Sequence, residues 1–210
     1  MISACSFVDQ LRSLGYSQYA GVPCSFLTSL INYVSGDPAL DYIGATSEGE
    51  AVGITFGAFL AGRKTVTMCQ NSGLGNMVNP LTSLNYPFRV PTLLIVTWRG
   101  QPEVKDEPQH EQMGRILHRL LETLEIPSLP FPRSEAEIAQ TMAQAEASMD
   151  QRKRPFALVM QKGSVAPHTV PGRVVSESIK TDLQENLSAK ENELLTRTAA
   201  GPRVSASARG

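Results

Sequence analysis

The feature that most constrains this chain is a repeated alternation of short apolar runs with longer segments of helical period. The clearest run is residues 91–97, Pro-Thr-Leu-Leu-Ile-Val-Thr, where successive residues rather than alternate ones are apolar. A run of that kind suits a strand covered on both faces, the usual situation of parallel strands in α/β sheets. Shorter runs with strand character stand at 19–22, 40–45, 65–69, 126–129 and 156–161. Between them apolar residues recur at spacings of three and four: Phe7, Val8, Leu11 and Leu14; Phe26, Leu27, Leu30, Ile31 and Val34; residues 47–61 and 76–84; and Met113, Ile116, Leu117, Leu120, Leu121 and Leu124. Residues 71–75 are glycine-rich and read as a loop. Ser134-x-x-Glu137 has the capping-box pattern and opens a helix to about Met149. Strand-then-helix units of this length predict an α/β fold, a parallel sheet of about six strands covered by helices on both faces.

Residues 1–163 read as one domain. Residues 164–200 read as a linker with Pro167, Pro171 and Gly172, then a polar helix over 176–197 with a thin stripe of Ile179, Leu183, Leu187, Leu194 and Leu195. Residues 201–210 read as a disordered tail. With 19 basic and 20 acidic residues the net charge is −1, so no global footprint for nucleic acid or an anionic membrane exists, while a local cluster could still bind a small anion. No apolar stretch approaches the ~20 residues of a membrane-spanning helix. The first residues lack the basic start and apolar core of a signal peptide. Cys5, Cys24 and Cys69 are odd in number and contain no CxxC pair, which argues for free thiols in a reducing compartment. A cytoplasmic protein is the expectation.

Several chemistries are disfavoured by absent motifs. There is no GxxxxGK[ST] phosphate loop and no GxSxG turn, and Gly73-Leu74-Gly75 lacks the third glycine of a dinucleotide fingerprint. His110, His118 and His168 have no metal-ligand spacing, and no metal site is expected on this chain.

The informative stretch is residues 44–58, running from a strand end into a helix. Ser47-x-x-Glu50 is a capping box, which gives Glu50 a sufficient structural task. Glu48 has none beyond the general preference for acids in a first helical turn, and it stands at the carboxyl edge of a strand, where α/β sheets place ligand groups. Gly49, Gly53, Gly57 and Ala61 recur every four residues and make a smooth helix face, suited either to packing within the domain or to contact with another chain.

Glu48 followed nine residues later by Gly57 resembles the pyrimidine-binding domain of thiamine-diphosphate enzymes. The likeness extends to residues 21–26 as the first strand-turn motif, and to Asn71-Ser72-Gly73-Leu74-Gly75-Asn76 with Asn79-Pro80-Leu81 as the glycine-rich cofactor loop. With Trp98-Arg99-Gly100 and residues 105–110, Lys-Asp-Glu-Pro-Gln-His, the set is similar to phosphonopyruvate decarboxylases, the alpha subunits of sulfopyruvate decarboxylases being the nearest alternative. The resemblance covers residues 1–162. It implies thiamine diphosphate as cofactor, with Glu48 hydrogen-bonded to the pyrimidine ring and Asn71, Gly73, Gly75 and Asn76 around it. It further implies a carboxy-lyase acting on a small anionic 2-keto acid. Ser25 faces substrate or caps the helix that follows it. His110 transfers a proton or stands solvated at a helix start. Arg99 and Lys105 bind the substrate's second anionic group or are loop charges, Arg being suited to bidentate contact. The family's diphosphate and Mg2+ site carries a GDG motif that this sequence lacks, so the resemblance implies an oligomer with a GDG-containing subunit or domain. A truncated, non-catalytic domain of the same family is the alternative.

Overall fold

The computed structural model describes residues 1–169. The expected polar helix and tail lie outside them. The elements are α1 (Ala4–Ser13), β1 (Tyr16–Gly21), α2 (Thr28–Gly36), β2 (Asp41–Gly44), α3 (Glu48–Leu60), β3 (Lys64–Gln70), α4 (Leu74–Pro80), α5 (Tyr86–Phe88), β4 (Leu93–Thr97), α6 (Glu111–Thr123), β5 (Ser128–Pro130), α7 (Glu135–Arg152) and β6 (Phe156–Met160). The six strands form one sheet in the order β2-β1-β3-β4-β6-β5, and every pairing is parallel.

The continuous apolar run at 91–97 has the expected cause. On β4, Leu93 and Ile95 enter one core with residues of α1, α2 and α7, while Leu94 and Val96 enter the other with residues of α3, α4 and α6. Successive side chains of a strand point to opposite faces, so a strand with two cores beneath it must be apolar at every position. Some buried polar groups inside the layers are paired with one another. Thr55 on α3 and Thr67 on β3 share a hydrogen bond of 2.8 Å, and Asn85 donates to Val90 O and to Thr92 Oγ1.

The amino-terminal edge of the sheet is fastened by charge. Arg63 donates to Ser17 Oγ, Gln18 Oε1 and Asp41, joining β1, β2 and the approach to β3. Glu146 of α7 accepts from the Tyr16 hydroxyl and pairs with Lys64. Burial, then that bond to Glu146, push the Tyr16 hydroxyl far above its usual range, so it stays a donor. The first strand therefore starts at Tyr16, three residues before its apolar run.

Three local readings change. The glycine-rich 71–75 segment is no open loop: Asn71–Gly73 make a single 3-10 turn that leads directly into α4. Gly73 has ordinary right-handed angles (φ −74°, ψ −15°), so this glycine supplies room, not a special backbone conformation. The helix expected over 76–84 starts earlier, and after Pro80 it widens into a π-helical turn, Leu81–Asn85, before α5. Proline cannot donate into the helical ladder, which relaxes the turn around it. Ser134 does not cap α7 with its side chain; Glu137 instead accepts from the Arg133 N–H.

Residues 164–168 pack on the domain. Val165 bridges to Ile2, His168 N–H donates to Ser29 Oγ, and Asn32 donates to His168 O. Among the described residues no helix is long and apolar enough to cross a membrane.

Leu94→Ala removes a fully buried side chain from the α3/α4/α6 core. It is expected to cost about 2–5 kcal/mol of unfolding free energy in denaturant titration, whereas Leu60→Ala, on the exposed side of α3, stays within about 0.5 kcal/mol in the isolated chain.

Candidate active site

Parallel strands deliver their carboxyl ends to one edge. Gly21 is in register with Gly44 and Met68, and Gln70 with Thr97, so the segments following β1, β2, β3 and β4 gather there. Two groups of side chains form on this edge.

The first is built around Glu48, the first residue of α3. Ser47 caps the helix by accepting from Glu50 N–H at 3.2 Å, and Glu50 turns back to accept from Thr46 N–H at 2.7 Å. These bonds, with the Thr46 hydroxyl foremost, hold the Glu50 carboxyl below its usual range. Glu50 is thus occupied with the helix start, and Glu48 is left for other work. The Glu48 carboxylate is half-buried, and its Oε2 accepts from Asn76 Nδ2 at 2.8 Å. Its Oε1 lies over Gly73, where a Cβ would stand only 2.2 Å away. Asn71 is fully buried beside it. Its Nδ2 donates to Arg99 O at 2.7 Å, while its Oδ1 has no partner among the described residues. Gly75 is exposed, with open space where a side chain would be. Burial, and then the Glu48 charge, push the Cys69 thiol far above its usual range, keeping it neutral.

The second group surrounds Arg99. Its Nε and Nη2 grip Asp106 at 2.8 and 2.5 Å, its Nη1 donates to Ser25 Oγ at 3.4 Å, and Phe26 lies against its guanidinium. Ser25 makes no capping bond at the start of the helical segment after it, so its hydroxyl serves Arg99. Cys24 Sγ sits 3.4 Å from Gln70 Oε1 and 3.6 Å from Thr97 Oγ1. Asp106 also accepts from Gly100 N–H and Glu107 N–H. The Arg99 bond, with the backbone bonds, holds the Asp106 carboxyl well below the usual carboxylate range, and Asp106 in turn raises the Arg99 guanidinium.

The other candidates stand apart. Lys105 is exposed and makes no hydrogen bond or ion pair among the described residues. His110 ends a 3-10 turn before α6 and touches the site loop through its backbone: a Cβ on Gly100 would meet His110 O at 2.0 Å. The backbone there is closed so tightly that a Cβ on Gly114 would meet Gly100 O at 1.7 Å. The small-residue face of α3 divides. Gly49 is covered, 3.0 Å from Asn76 O, but Gly53 and Gly57 face open space. Asp106, Gln70, Cys24 and Thr97 were not singled out by the sequence. A polar residue ending a buried strand, as at Gln70 and Thr97, was the available signal for two of them.

A half-buried carboxylate, side-chain amides and a bare buried carbonyl oxygen form a donor and acceptor set that fits an aminopyrimidine, which presents ring nitrogen and N–H together. Residues 3–120 match the family described as thiamine pyrophosphate enzyme, N-terminal TPP binding domain. The chain belongs to the thiamine pyrophosphate enzyme family. Thiamine pyrophosphate is thiamine diphosphate under another name, so the cofactor expected from the sequence is the one this family binds. The chain is 44% identical over 183 residues to a phosphonopyruvate decarboxylase of Streptomyces viridochromogenes, covering 83% of the chain and 46% of that protein. It is 36% identical over 160 residues to the sulfopyruvate decarboxylase subunit alpha of Methanocaldococcus jannaschii, covering 76% of the chain and 93% of that subunit. The chain thus spans about half the length of the phosphonopyruvate decarboxylases it matches. Its fold is similar to that of benzoylformate decarboxylase from Polynucleobacter necessarius, with a TM-score of 0.58 at 18% identity over 84% of the chain and 33% of that structure. The expected six-stranded α/β fold is therefore the observed one.

Two measurements check this geometry. Gly73→Ala drives a methyl group into the Glu48 carboxylate; the TPP-binding domain is expected to lose about 1–3 kcal/mol of stability and the Asn76 side-chain amide resonances to shift toward free values in NMR. The folded carboxyl of Asp106 lies below its unfolded value, so the pair stabilises the fold above about pH 4 and loses that contribution as pH falls through the lower folded value. Asp106→Asn is expected to flatten the acid limb of the stability–pH curve below about pH 4, measured by urea unfolding.

Proposed function

We propose that this chain is the pyrimidine-binding half of a 2-keto acid decarboxylase that converts 3-phosphonopyruvate to phosphonoacetaldehyde and CO2, taking up one proton. The observation that carries the reading is the Glu48 carboxylate, free of any capping duty, held by Asn76 above Gly73 at the carboxyl edge of the sheet. Bound thiamine diphosphate supplies the nucleophilic carbon and accepts the electron pair left when CO2 departs. The task of Glu48 is to share a proton with the pyrimidine ring, which requires a partly desolvated carboxyl at a fixed place. Asn71, Gly73 and Asn76 shape the space beside it, and Gly75 leaves its outer side clear. Ser25 and Arg99 meet the acidic group that the substrate retains, and His110, whose backbone packs against Gly100 of the same loop, is assigned the role of proton carrier.

A second polypeptide or domain with a GDG motif holds the diphosphate and Mg2+. The uncovered face of α3 supports this, with Gly53 and Gly57 open beside the exposed Leu60 and Phe88. The three free thiols suit a cytoplasmic setting. One observation favours a second reading, in which the keto acid is 3-sulfopyruvate: the chain matches nearly the whole of a protein named as an alpha subunit of sulfopyruvate decarboxylase.

The test is co-expression with a GDG-containing chain, followed by CO2 release from both keto acids with thiamine diphosphate and Mg2+. Activity is expected only in the mixture, and Glu48→Gln is expected to lower kcat by at least about 100-fold. Full-rate turnover by that variant overturns the role of Glu48. Absence of CO2 release from either acid in any mixture overturns the decarboxylase.

A further inference from the structure

The two edges of the Arg99 guanidinium are not equivalent. The Nε/Nη2 edge is closed by both oxygens of Asp106, and the Nη1/Nη2 end remains, with Nη1 beside Ser25 Oγ. Asp106 is in turn fixed by two backbone N–H groups. The Arg99 and Asp106 side chains are 15% and 11% exposed, so this is no solvated surface pair whose geometry drifts. Phe26 closes a face of the guanidinium, 4.9 Å from its ring centroid.

Two consequences follow for an anion arriving at this edge. The side-on bidentate edge is already used inside the chain. An incoming oxyanion meets the Nη1/Nη2 end, together with the Ser25 hydroxyl beside Nη1. The pair also carries no net charge, which lowers the positive potential around the substrate. In a decarboxylation that restraint matters. A bare cation near the carboxylate that departs would stabilise the ground state more than the transition state toward neutral CO2.

We propose that Asp106 is a positioning residue for the substrate. It fixes Arg99 so that Nη1 and Ser25 Oγ jointly take the acidic group that stays with the product, and it acts only through Arg99. This rests on the decarboxylase reading given above.

The test is a double-mutant cycle in the complex with its partner chain, using Asp106→Asn, Arg99→Gln and the two combined, with 3-phosphonopyruvate. Asp106→Asn is expected to raise KM about ten-fold while kcat stays within about three-fold. Arg99→Gln is expected to do the same or more, and the double variant to be no worse than Arg99→Gln alone. Asp106→Glu restores part of the lost KM. A phosphorus NMR titration with 3-phosphonopropionate, which has no keto group to react, is expected to show the same ranking without turnover. Effects of the two substitutions that multiply, or a fall in kcat with KM unchanged, overturn the proposal. A wild-type complex that releases no CO2 overturns the underlying reading instead.

Discussion

Six strands running the same way between two apolar cores gather the candidate site of this chain at one edge of the sheet. Both faces of the sheet are sealed: Leu93 and Ile95 look into one core, Leu94 and Val96 into the other. The amino-terminal edge is tied by Arg63 and by Glu146 with Tyr16 and Lys64. At the opposite edge parallel register sets Gly21 and Gly44 level with Met68, two residues before the paired Gln70 and Thr97. Glu48, Asn71 and Arg99 arrive there one or two residues beyond a strand or a helix cap. Their positions are inherited from the sheet.

At that edge the polar groups are largely fixed before any ligand is considered. Glu48 is held by Asn76, Arg99 by Asp106, and Asn71 by the carbonyl of Arg99. Groups that are already oriented need little reorganisation when charge moves beside them. The exception is the Oδ1 of Asn71, buried with no partner among the described residues. An acceptor stripped of water and left bare is costly.

The fold was legible because its strongest signal, an apolar run without alternation at 91–97, has one simple physical cause. The Glu48 region was legible because Ser47 and Glu50 account for each other, leaving Glu48 unexplained. Other residues misled. The glycines at 73 and 75 read as a loop since glycine commonly marks a turn, yet Gly73 is helical and is small only because Glu48 sits above it. Ser25 read equally well as a cap, and nothing in its own neighbourhood could reveal Arg99, 74 positions away in sequence. Asp106 lies seven residues from Arg99 across an irregular loop, a spacing that belongs to no periodic pattern. Contacts of that kind come into being only with the tertiary structure.

The bare side of α3 carries a thermodynamic consequence. Two glycines there lack both side chains and neighbours, and each weakens the helix by about 1 kcal/mol relative to alanine. The carboxylate at its head is therefore mounted on a scaffold softened along its outer surface. A molecule that covered that surface would add its own association free energy to the folding equilibrium, and the melting temperature of this chain would then rise with that molecule's concentration.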